Sequence, residues 1–259
     1  MDHTTAPRPT TVRGGTQGPV PFHRLLSAET RKLFDTRSGM IMTAALIVVV
    51  LLAIVGRGVA TGPKLLILIH TAGIGLSTLL PVLGILSVTG EWSHHTALTT
   101  FTLEPRRGRV LVAKALPPMI TALAAAALSM LVAVPVTALV ASGQHVPADW
   151  DVAPLGLIGW AVTNVLVVSM GLALGMLLLN APSAILICLS SVMAWSIVAS
   201  LGSGGKHLSE WLNLSATTVP LQTGHMSGGD VGRLAVSVAF WIVLPMAVGV
   251  VRVLRKDVH

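Results

Sequence analysis

The residues of this chain that could do chemistry gather in one run, TGEWSHHTALTTFTLEPRRGRVLVAKALP, from Thr89 to Pro117. It sets Glu91 and Trp92 near one end, His94, His95 and Thr96 next to them, and Arg106, Arg107, Arg109 and Lys114 towards the other. None of the reactive arrangements built from such residues fits. His94 and His95 are neighbours, so on a helix they point about 100° apart and cannot chelate as an i, i+4 pair would. The nine histidines make no metal constellation, and His70, alone in an apolar run, reads as a packing or interfacial residue. GSGGKH, Gly202 to His207, has the Gly-Lys of a phosphate-binding loop. GxxxxGK[ST] asks for glycine where Ser200 stands and for Ser or Thr where His207 stands, so no nucleotide site is expected there. What the run does offer is charge and one large aromatic side chain.

The elements around it are apolar. Of 259 residues 53% are hydrophobic and 10% charged, whereas a soluble domain carries about 25% charged residues. Several runs reach the roughly 20 residues that cross about 30 Å of hydrocarbon as a helix. The fold class expected is all-α, a polytopic membrane protein with six transmembrane helices: Met40 to Val55, Leu65 to Thr89, Val110 to Ala141, Pro154 to Leu179, Ala184 to Leu201 and Leu234 to Val251. Pro81 should kink the second span. Pro117 and Pro118 should divide the third into a short cytoplasmic piece and a membrane piece.

All ten acidic residues, Asp2, Glu29, Asp35, Glu91, Glu104, Asp149, Asp151, Glu210, Asp230 and Asp257, fall outside the span interiors. A carboxylate inside the membrane is costly and marks ion-coupled carriers, so a carboxylate-driven secondary transporter is disfavoured. The net charge of +7 is not gathered into a basic face with interleaved aromatics, which argues against a nucleic-acid partner. The basic residues flank the spans instead. With the N-terminus inside, only Arg57, Lys64, Lys206 and Arg233 of the 17 Lys and Arg fall outside. The positive-inside rule therefore puts both termini, and the Thr89 to Pro117 run, in the cytoplasm.

Residues 1–21, rich in Pro, Gly and Thr and without an apolar signal core, read as a disordered cytoplasmic tail. In residues 22–39, Phe22, Leu25, Leu26, Leu33 and Phe34 recur at helical spacing while Arg24, Glu29, Arg31, Lys32 and Arg37 occupy the rest. That pattern predicts an amphipathic helix in the lipid headgroup plane. Residues 40–251 form the six-span domain, with a cytoplasmic loop at about 90–109, and residues 252–259 are a second tail. HLSEWLNL, between spans five and six, predicts a short helix at the outer interface with Trp211 at headgroup depth. Gly171 and Gly175 make a small-xxx-small pair that lets another helix approach, as do Gly73, Gly75 and Ser77. The single cysteine, Cys188, lies in an apolar run and permits no intrachain disulfide.

GEWSHHTALTTFTLEPRRGRVLVAKAL, Gly90 to Leu116, resembles the cytoplasmic loop of the type-2 ABC exporter permeases, through Glu91, Trp92, His94, Thr96, Pro105, Arg106, Arg107, Gly108, Arg109 and Lys114. Ser93 and His95 replace the Arg and Gly usual in that pattern. ETRKLFDTRSG before span one is similar to the family's N-terminal connecting helix, with Arg31 and Lys32 in it. The resemblance implies a plasma-membrane permease that pairs with a second permease, the same chain or another, each docked on a separate ATP-binding subunit. ATP and Mg would sit on that subunit, with no cofactor on this chain. Glu91, Trp92, His94, Thr96, Arg106, Arg107 and Arg109 would dock it, the charges as polar handles and Trp92 as a buried anchor. The arginines also suit topology signalling and lipid phosphate contact. The rival expectation is a stand-alone channel, carrier or membrane scaffold with no ATPase.

Overall fold

The structure, a computed structural model, describes residues 21–93 and 107–255. Among them there is no strand, and six helices are long and apolar enough to cross a membrane. This agrees with the class expected from composition. In lipid no water satisfies backbone groups, so a spanning segment must bond internally as a helix.

In chain order the elements are α1 (Phe22–Asp35), α2 (Arg37–Thr61), α3 (Leu65–Ser93), α4 (Arg107–Gln144), α5 (Pro154–Leu178), α6 (Ala181–Ser200), α7 (Ser203–Leu212), α8 (Leu214–Thr217), α9 (Val219–Thr223), α10 (Gly228–Val238) and α11 (Leu244–Arg255). A π turn, Ala239–Val243, joins α10 to α11 so that the two make one span. The end of the bundle that holds α1, the C-terminal ends of α3 and α5 and the C-terminal end of α11 is called basal below. The opposite end is distal.

The centre of the bundle is α3 against α5. About half of each helix's apolar window is buried, 50% and 56%, against 11% for α6, so α6 is peripheral and shows a broad apolar face. Close approach is possible because α5 presents glycine where α3 comes nearest. A Cβ added at Gly171 would run into the backbone of Pro81, and one at Gly175 would come within 3.2 Å of Ile85 Cα. Lipid tails are as apolar as leucine, so such backbone proximity, rather than exclusion of water, favours helix association here. Around this seam lie Ile54, Leu68, Leu76, Leu80, Ala126 and Val168, all but inaccessible.

Two expectations are corrected. Pro117 and Pro118 do not break the third span: α4 runs unbroken from Arg107 to Gln144 with both prolines, and Pro135, inside it. Each proline removes one intrahelical bond, but a spanning helix tolerates this where neighbouring side chains re-satisfy the freed groups. The last span begins at Gly228 rather than Leu234, because Ser227 and Asp230 form a reciprocal capping box that starts the helix early.

At the distal end α7, Ser203–Leu212, takes in HLSEWL of the expected HLSEWLNL, and the chain then folds back into the bundle. The Trp241 indole donates to the Leu212 carbonyl at 2.7 Å, and Thr217 and Ser237 share a buried hydroxyl bond of 2.6 Å. The Leu221 carbonyl lies so close to Gly159 that any side chain there would collide with it. The segment from Ser203 to Thr223 is thus bound to α5 and to the last span.

Candidate functional site: the basal end of the bundle

The basal end is where the sequence placed its polar run, and three helix ends are fixed there. Val88 near the end of α3, Leu111 near the start of α4, and Leu172 and Met176 of α5 form one buried cluster. Thr89 is fully buried, its hydroxyl donating to the Ile85 carbonyl at 2.8 Å. α3 ends at Ser93 and α4 begins at Arg107, so the two helix ends that flank the residues outside the described ones are both anchored in this cluster. Arg252 of α11 closes the same end by donating to the Leu177 carbonyl at 2.6 Å. That carbonyl belongs to the last turn of α5, where backbone acceptors lack helical partners and cations are favoured.

α1 lies against the start of α4. Leu33 is buried and Phe22, Leu25, Leu26 and Phe34 are half-buried, while His23, Arg24, Ala28 and Arg31 are exposed. The helix is amphipathic as expected, but Glu29 is not on its polar face. Glu29 is 6% exposed and accepts from Lys114 Nζ at 2.8 Å on one carboxylate oxygen and from Lys32 Nζ at 2.8 Å on the other. Lys114 is equally buried, whereas the Lys32 side chain is 49% exposed. Sequence reasoning counted Glu29 among the solvated residues and Lys114 among the loop charges. The available signal was positional: Glu29 is one turn before Leu33 and one turn after Leu25, on the apolar stripe, and Lys114 interrupts VLVAKAL.

α1 joins α2 through a tight corner. Thr36 caps α2, its hydroxyl accepting from Gly39 N at 3.1 Å, and a Cβ at Gly39 would strike the Leu33 carbonyl.

Of the residues expected to dock a partner, Glu91 and Trp92 extend α3 by most of a turn and Arg107 opens α4. Arg109 is half-buried just behind it. His94, Thr96 and Arg106 lie outside the described residues. Arg31 faces outward, while Lys32 reaches back to Glu29. Gly171 and Gly175 sit in the α3–α5 seam. Among the described residues no group of three or more His, Cys, Asp or Glu could hold a metal ion.

A second feature lies towards the distal half. A cleft of about 420 Å³ opens between α3 and α6, floored by Asn213, Leu214 and Ser215 and flanked by Trp195 and Trp241. Ser77, Thr78 and Ser191 put hydroxyl groups among its apolar walls. No family model matches this chain, and no curated protein is found similar to it.

Proposed function

We propose that the chain is the permease subunit of an ATP-driven exporter, energised by a separate ATP-binding subunit that docks on the basal end. The observation that carries this reading is the pair of rigid posts at Val88 and Leu111, which hold both ends of a polar run that contains Glu91, Trp92 and three arginines. Helix ends seated in the bundle can pass force from a docked partner into the spans. The basal end lies in the cytoplasm, the membrane is the plasma membrane, and two permeases associate. Support for the orientation comes from the basic residues: Arg24, Arg31, Arg37, Arg107, Arg109 and Arg252 lie at or near the basal end, as the positive-inside rule asks. Coupling to an outside engine is further supported by the span interiors, which carry no carboxylate that could bind a driving ion.

The cargo is hydrophobic or amphiphilic. The α3–α6 cleft supports this with walls that combine Trp195 and Trp241 with a few hydroxyl groups, a mixture suited to a molecule with one apolar and one polar part. The docking role is tested by Glu91→Ala and Trp92→Ala in chains coexpressed with an ATP-binding protein that copurifies with the wild-type chain. Both variants are expected to insert normally and to copurify with far less ATP-binding subunit than wild type does. Undiminished copurification would contradict the docking role.

A further inference from the structure

The polar atoms of the α3–α6 cleft are not free to play both hydrogen-bonding roles. A hydroxyl has one proton to give and two lone pairs with which to accept. Ser77 and Thr78 both donate to the Ile74 carbonyl, at 3.2 and 2.9 Å, and Ser191 donates to the Cys188 carbonyl at 2.7 Å. All three line the cleft. Their protons are committed to carbonyls about one turn back, as is common for helical hydroxyls, so the walls offer an occupant oxygen lone pairs. Met170, whose thioether can only accept, is a further lining residue.

The two tryptophans point the same way. The Trp241 indole N–H is taken by the Leu212 carbonyl at 2.7 Å, so what Trp241 can give an occupant is ring surface. Tryptophan faces attract cations more strongly than any other aromatic side chain. Among the described lining residues none is Lys, Arg, His, Asp or Glu. A carboxylate or phosphate would find no cation there and would have to draw hydroxyl protons away from their carbonyls. A group that donates leaves every one of those bonds intact. Donors are present at the floor, where Asn213 Oδ1 accepts from Ser215 N at 3.1 Å and leaves the Asn213 amide N–H groups and the Ser215 hydroxyl. With no charge behind them, they suit a neutral acceptor such as a carbonyl or sulfonyl oxygen.

We infer that the α3–α6 cleft binds lipophilic ammonium compounds, the N–H donors meeting the wall oxygens of Ser77, Thr78 and Ser191 and the charge resting against the rings of Trp195 and Trp241. That such a compound is the cargo rests on the exporter reading; that the cleft binds it does not.

The test uses the chain alone, reconstituted in phosphatidylcholine nanodiscs, and three probes that share a dansyl body. Monodansylcadaverine ends in an ammonium, its N-acetyl derivative in a neutral amide, and dansyl-aminohexanoate in a carboxylate. Excited tryptophan passes energy to a bound dansyl group, so saturable dansyl emission reports binding once the signal of empty nanodiscs is subtracted. Monodansylcadaverine is expected to bind about tenfold tighter than its acetylated form, and the carboxylate is expected not to saturate. Ser77→Ala combined with Thr78→Val should weaken the ammonium probe about fivefold. Thr78→Ser, which keeps the oxygen, and Ser183→Ala, an exposed α6 hydroxyl outside the cleft, should leave it unchanged. Equal affinities for the three probes, tighter binding of the carboxylate, or no saturable binding at all would each overturn the inference; an undiminished affinity in the double variant would overturn the role of the hydroxyls. A chain that binds the ammonium probe but assembles with no ATP-binding subunit keeps the site and loses the exporter reading. A chain that assembles and supports ATP hydrolysis but binds none of the probes keeps the exporter reading and loses the site.

Discussion

Lys114 Nζ stands 2.8 Å from Glu29 Oε2, and each side chain is only 5% exposed. Glu29 also accepts from Lys32. Replacing Glu29 by Gln takes away the carboxylate that faces a buried ammonium, and a broken buried pair costs about 3–5 kcal/mol. Lys114→Met leaves the carboxylate with Lys32, so its cost should be smaller, about 1–3 kcal/mol. Lys32→Ala, at a half-exposed site, should cost less than about 1 kcal/mol. Thermal unfolding in detergent would give that order; equal melting temperatures for all three would contradict it.

Gly171 and Gly175 differ in how near α3 comes. Gly171→Ala should force α3 and α5 apart, because the new Cβ meets the Pro81 backbone, which has nowhere to go; overpacking of this kind costs about 1–3 kcal/mol. Gly175→Ala should be milder. Gly56→Ala is the control, since nothing lies within 4 Å of its added Cβ, and alanine in a helix is better than glycine by up to about 1 kcal/mol. Unfolding midpoints should therefore fall for Gly171→Ala and rise or hold for Gly56→Ala.

Trp241→Phe keeps a ring in the last span and removes the donor to the Leu212 carbonyl. Hydrogen bonds within membrane proteins are worth about 0.6 kcal/mol on average, too little to unfold the bundle. The expected effect is local: faster amide exchange or protease nicking in residues 203–223, with α3 and α5 unaffected.

Orientation can be read chemically, because Cys188 is buried and gives little background. Lys206→Cys, exposed at the distal end, should react with a membrane-impermeant maleimide on intact cells. Ala28→Cys, exposed on α1, should react only after permeabilisation. The reverse pattern would invert the assignment of sides.

The spans were legible in the sequence because lipid imposes one demand on each of them, length and apolarity. What escaped depended on partners far away in the chain. Glu29 looked solvated until Lys114 was seen beside it. Pro117 and Pro118 looked like breakers because local rules are drawn from helices in water, whereas a spanning helix tolerates prolines inside it. The inward fold of residues 203–223 was hidden because its anchors, Gly159 and Trp241, lie on two other helices. For the site, the sequence marked the polar run, and the structure added its stiff posts and α1 locked against one of them.

The most direct test of the central claim is the ATP hydrolysis of an ATP-binding protein that copurifies with this chain, measured in nanodiscs with and without it. The account predicts that hydrolysis depends on the chain and falls several-fold when Glu91→Ala replaces wild type. A hydrolysis rate that is the same with this chain, without it and with the variant would contradict an exporter energised from outside and leave a membrane protein that works without ATP.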